Sequence, residues 1–62
     1  MKTQDLQKNK QYIHITWQDN KIIIRYTGTT HEVKDLMHWF FTTEDGSTIF
    51  LTKSEVKWLS EL

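Results

Sequence analysis

At 62 residues without a cysteine, the chain has room for one domain with a small core, and disulfides and thiolate zinc sites are excluded. Eight basic residues balance eight acidic ones, so no global field draws the protein to nucleic acid or to an anionic membrane. Domains this short commonly need a staple, and with disulfides excluded the leading one is self-association, most simply a homodimer.

Residues 1–10, MKTQDLQKNK, hold Leu6 as the one apolar residue after Met1 and are expected to form a polar N-terminal tail without fixed structure. They lack the apolar core of a secretory signal, and no apolar run approaches the roughly 18 residues of a membrane span. The expected location is therefore cytoplasmic, with no membrane partner.

From Gln11 the pattern is alternating. In YIHITWQDNKIIIRYT, Ile13, Ile15 and Trp17 alternate with Tyr12, His14 and Thr16, the signature of a half-buried strand. Asp19 and Asn20 tolerate positive φ, and a two-residue loop there pairs Trp17 with Ile22, Ile15 with Ile24 and Ile13 with Tyr26. This register gathers six large apolar residues on one face and leaves Tyr12, His14, Thr16, Ile23, Arg25 and Thr27 on the other.

After Gly28, Thr29 and Glu32 have the spacing of a capping box, and Val33, Leu36, Met37 and Phe40 recur at helical intervals. A helix is expected over residues 30–38, with a third strand from Trp39. In WFFTTEDGSTIFLT a three-residue loop, with Gly46 in the left-handed position, pairs Phe41 with Ile49 and Trp39 with Leu51. It leaves Phe40 opposite Phe50 on the other face. Thr52 and Glu55 form a second capping box, and Val56, Leu59 and Leu62 make one stripe of a final helix with Trp58 beside it.

HEVKDL at residues 31–36 thus returns as SEVKWL at 54–59, with Thr29/Thr52, Val33/Val56, Lys34/Lys57 and Leu36/Leu59 matching at an offset of 23 residues. The expected architecture is α+β: ββα-ββα, a four-stranded, mostly antiparallel sheet with two helices on one face. After the tail, residues 11–62 form a single domain, with an internal repeat of 12–38 and 39–62 or two similar capped helices.

Little points to catalysis. On one helix His31 and His38 would stand about 10 Å apart, too far to share a metal, and His14 has no partner motif. Glu44 and Asp45 sit at a turn tip, and neither a glycine-rich phosphate loop nor a nucleophile motif is present. No enzyme activity, cofactor or metal is expected. The face left uncovered by the helices carries Tyr12, His14, Ile23, Arg25, His38, Phe40 and Phe50, too apolar to lie idle, and Trp58 could protrude as an interface anchor.

The expected function is therefore that of a small interaction protein, self-associating, that binds and modulates a protein partner, with inhibition as one such mode. The alternative is single-stranded nucleic-acid binding, with Tyr12, Phe40, Phe50 and Arg25 as a stacking platform. The ending GSTIFLTKSEVKWLSEL resembles the strand-then-helix end of small dimeric modules that bind single strands through their sheets. The basic loops of such modules are absent from this chain, and no residue is carried over from them.

Overall fold

The computed structural model describes residues 1–62. A 3-10 turn at Thr3–Asp5 precedes β1 (Gln11–Ile15), β2 (Lys21–Val33), β3 (Leu36–Thr43), β4 (Thr48–Leu51), a single helical turn α1 (Lys53–Val56) and β5 (Ser60–Glu61). The strands form one five-stranded sheet in the order β4-β3-β2-β1-β5, with every neighbouring pair antiparallel. The expected ββα-ββα arrangement, with four strands and two helices, is therefore incorrect: the first helix is strand, and the second is one turn long.

The register of the first hairpin differs from that expected, for an identifiable reason. Asp19 alone takes the left-handed conformation, at φ 62°, and Thr16 N–H donates to Asn20 O at 2.8 Å while Asp19 N–H donates to Thr16 O at 2.9 Å. The loop is Trp17-Gln18-Asp19, three residues and not two. Ile15 consequently stands opposite Lys21 instead of Ile24, and Tyr12 opposite Ile24. An odd slip turns one strand over relative to its partner, and here it is β1 that is inverted while Ile22, Ile24 and Tyr26 of β2 keep the inner face. Tyr12 and His14 face inward, whereas Ile13 and Ile15 face outward.

The loop between β3 and β4 has the same construction. Thr43 N–H donates to Ser47 O at 2.8 Å and Gly46 N–H to Thr43 O at 3.0 Å, with Gly46 at φ 89°. Here the expected register holds: Trp39 pairs with Leu51, Phe41 with Ile49, and Phe40 with Phe50. Asp19 occupies the place in the first loop that Gly46 occupies in the second.

Residues 29–38 form a hairpin, not a helix. Val33 pairs with Leu36 around a two-residue turn whose central residues, Lys34 and Asp35, have φ of 52° and 66°, the backbone of a type I′ connection. A nine-residue helix is marginal by itself, whereas Thr27, Thr29, Thr30 and Val33 suit a strand. Pairing with β3 satisfies their backbone groups. β2 carries a bulge between Tyr26 and Thr30, where Gly28 lies at φ 86°. Thr27 holds the bulge, its Oγ1 donating to Phe40 O at 3.0 Å and accepting from Thr29 N–H at 3.2 Å. Beyond the bulge the two strands run on past β1 and β4 as a protruding arm.

The matching segment SEVKWL behaves differently. Its capping box forms, with Thr52 N–H donating to Glu55 Oε1 at 3.0 Å, but the helix ends at Val56. Val56 and Leu59 are buried as their spacing predicts, while Leu62 is 63% exposed because the chain turns into β5.

The core is small: Tyr12, Ile24, Tyr26, Phe41, Leu51, Val56 and Leu59, all on the inner side of the sheet or on the segment that covers it. The first ten residues complete that cover instead of trailing away. Met1 and Leu6 pack on the core, the terminal ammonium donates to Lys57 O at 2.7 Å, and Asn9 N–H donates to Tyr26 O at 2.8 Å. Lys10 and Glu61 form an ion pair at 2.9 Å that fastens β5 beside β1. This hydrogen-bonded carboxylate raises the Lys10 ammonium above its ordinary pKa.

Candidate functional site

Two surfaces are left without cover. One is the outer face of the sheet, where strand pairing places Ile13 opposite Ile23, Arg25 opposite Gln11 and Thr42, and Phe40 opposite Phe50. Ile23, Arg25, His38, Phe40 and Phe50, all expected there, are present. The face is not one continuous apolar field, because the row Thr48, Thr42, Arg25 and Gln11 crosses it. Ile13, Ile15 and Ile23 lie on one side of this polar row, and the aromatic residues lie on the other.

The aromatic half has defined geometry. The Phe40 and Phe50 ring centroids are 5.8 Å apart, and the His38 ring meets Phe50 edge-on at 5.2 Å, arrangements favoured by ring quadrupoles. Val33, His38, Phe40 and Phe50 line a shallow depression of about 220 Å³. Phe50 is 58% exposed. His38 Nδ1 is buried without a hydrogen-bond partner, which is uncommon for a polar atom removed from water. His31 is paired directly opposite His38, so the two histidines meet across strands and not along a helix.

The second surface is a groove on the inner side, between the first hairpin loop and the segment from α1 to Trp58. It has a volume of about 730 Å³; Ile22, Ile49, Leu51 and His14 contribute to it, with Trp17, Trp58 and Glu55 among its other lining residues. Trp17 is 90% exposed and Trp58 73%. Lys57 Nζ lies 5.8 Å from the centre of the Trp58 ring. Glu55 is the one charged residue lining the groove. Its Oε1 accepts hydrogen bonds from the Thr52 amide and hydroxyl.

Of the residues expected on one contact face, Tyr12 is thus a core residue with no exposed surface, and its hydroxyl accepts a hydrogen bond from Gln7 N–H at 2.9 Å. His14 lies on the opposite side from Phe40 and lines the groove beside Trp58. Arg25 is exposed, but one guanidinium nitrogen donates to Asn9 O at 2.7 Å. Ile13, Ile15, Val33 and Leu36 are the outer-face residues that sequence reasoning assigned to the interior, and Trp17 is the groove residue assigned there. The spacing shared by Thr16-Asp19 and Thr43-Gly46 is the signal that would have found the first loop, and with it these faces.

No group of three or more histidine and acidic side chains is arranged to hold a metal ion. No helix is long and apolar enough to cross a membrane. No protein-family model, curated protein or solved structure matches the chain.

Proposed function

We propose that this chain is a non-enzymatic interaction protein that self-associates through the outer face of its sheet and, so assembled, binds and modulates a protein partner. The observation that carries this reading is the Phe40, Phe50, His38 and Val33 patch. These apolar and aromatic side chains surround an open depression on a face that no layer of the same chain covers. Such patches on small proteins mark contact surfaces. The rest of the molecule supplies the motive, since all seven buried residues belong to the other side and a core this thin gains from a second sheet packed at about 10 Å. A two-fold pairing would bring each patch against the same surface of its partner.

The side-chain contacts include no hydrogen bond from a histidine to a hydroxyl or carboxylate. Nucleic-acid binding has less support in this geometry than protein binding. Tyr12 is unavailable as a stacking platform, and Arg25 is committed in part to the Asn9 carbonyl.

Sedimentation equilibrium over a wide concentration range tests the proposal. The expected result is a reversible dimer in the wild type and a folded monomer in Phe50→Glu. A wild type that stays monomeric throughout would overturn self-association, and steep, salt-sensitive binding to a single-stranded oligonucleotide would replace the protein partner with a nucleic acid.

A further inference from the structure

The groove on the inner side is separate from the outer face, and its chemistry is selective. We infer that it is a docking site for a basic side chain, lysine or arginine, carried between apolar residues on an extended segment of a protein partner. Three features point to that occupant. Trp17 and Trp58 both line the groove and are 90% and 73% exposed, although a tryptophan is the side chain whose exposure to water costs most in buriable area. Indole faces attract cations through the ring quadrupole, and the Trp58 ring already has the Lys57 ammonium 5.8 Å from its centre.

Charge complementarity is the second feature. Glu55 is the one ionisable lining residue that is negative, and no lysine or arginine lines the groove with it. The carboxylate is held in place by its bonds to Thr52 through Oε1 alone, so Oε2 is left without a partner in the chain. An incoming ammonium or guanidinium group would meet a carboxylate in a groove that two indoles also line. The third feature is the floor, in which Ile22, Ile49 and Leu51 offer apolar contact to the residues flanking that cation. Gln18 and Asn20, which also line the groove, can bond the backbone of an extended segment.

The site therefore does not depend on the self-association proposed for the outer face, and its test reads different residues. The probe is a short acetylated and amidated peptide, Gly-Leu-Lys-Leu-Gly, together with a neutral counterpart carrying Gln in place of Lys. Indole N–H signals are followed by ¹H–¹⁵N NMR, assigned with Trp→Phe variants. Trp39, which does not line the groove, serves as the internal reference. The expected result is a saturable shift of the Trp17 and Trp58 signals by the lysine peptide, with Trp39 unmoved, and binding about tenfold weaker for the neutral peptide.

Glu55→Gln should weaken the lysine peptide to the level of the neutral one. Because Gln also serves at this capping position, that variant keeps the helical turn. Trp17→Ala should abolish the shift of the Trp58 signal without altering the far-UV spectrum. Equal binding of both peptides would overturn the cation site in favour of a plain apolar groove. Indole shifts that follow protein concentration instead of peptide would assign the groove to a second copy of the chain, and no shift by either peptide would remove the site.

Discussion

Tyr12 and Gln7 are joined by a hydrogen bond of 2.9 Å, the Gln7 amide donating to the Tyr12 hydroxyl, and this contact ties the N-terminal segment to the centre of the sheet. Tyr12→Phe keeps the ring in the core and removes only the acceptor. Stability should fall by about 1 kcal/mol, the net worth of such a bond. Tyr12→Ala should cost about 3–5 kcal/mol, the range for deleting a buried aromatic side chain. Urea unfolding followed by near-UV absorbance measures both.

Trp17 provides the opposite case. A tryptophan in an alternating strand would be expected in the core, but this one stands at a loop, 90% exposed. Trp17→Ala should change stability by no more than about 0.5 kcal/mol. Phe41→Ala, at a position with no exposed surface, should cost about 3–5 kcal/mol. Equal losses in the two variants would contradict the register of the first hairpin.

The turn Lys34-Asp35 places two non-glycine residues at positive φ, where L-residues other than Asn and Asp are disfavoured. Replacing the pair by Asn-Gly relieves that cost. The double variant should be more stable by about 1 kcal/mol, as measured by thermal unfolding. A helix over residues 30–38 would instead be broken by the same change.

Asp45 accepts hydrogen bonds from the Thr43 hydroxyl and from Ser47 N–H, and these hold its carboxyl below the ordinary value of 3.8, with the Thr43 bond the larger cause. A depressed folded-state pKa stabilises the fold above 3.8 and ceases to do so as pH falls toward the folded value. The Tm difference between the wild type and Asp45→Asn should therefore shrink as pH is lowered through and below 3.8. A difference independent of pH would show that the carboxylate charge has no part in the turn.

Gly28 has a steric as well as a conformational reason to be glycine. At φ 86° a Cβ would lie 2.9 Å from Cγ and Cδ of Lys8, in a bulge that sets the register of the arm. Gly28→Ala should destabilise by about 1–2 kcal/mol. The companion variant with Lys8→Ala should recover the steric part and not the backbone part, which differential scanning calorimetry can separate.

Local sequence determined the elements whose signals needed no partner. The turn Glu44-Asp45-Gly46 set the β3–β4 register because glycine at the left-handed position leaves one good pairing, and Thr52 with Glu55 started a helical turn where the spacing placed it. The outer-face positions of Phe40 and Phe50 follow from that register alone. Tertiary structure decided the rest. HEVKDL and SEVKWL carry nearly the same local code, yet one is a hairpin and the other opens with a helical turn. The first has a neighbour, Trp39-Phe40-Phe41, able to pair with it, and the second follows the edge strand β4 and caps the core with Val56 and Leu59. The faces of the first hairpin turned on whether its loop held two residues or three. Asp19 allows either, and burial of Tyr12 in the core that Val56 and Leu59 share and Met1 and Leu6 pack against selects the three-residue loop through contacts distant in the chain.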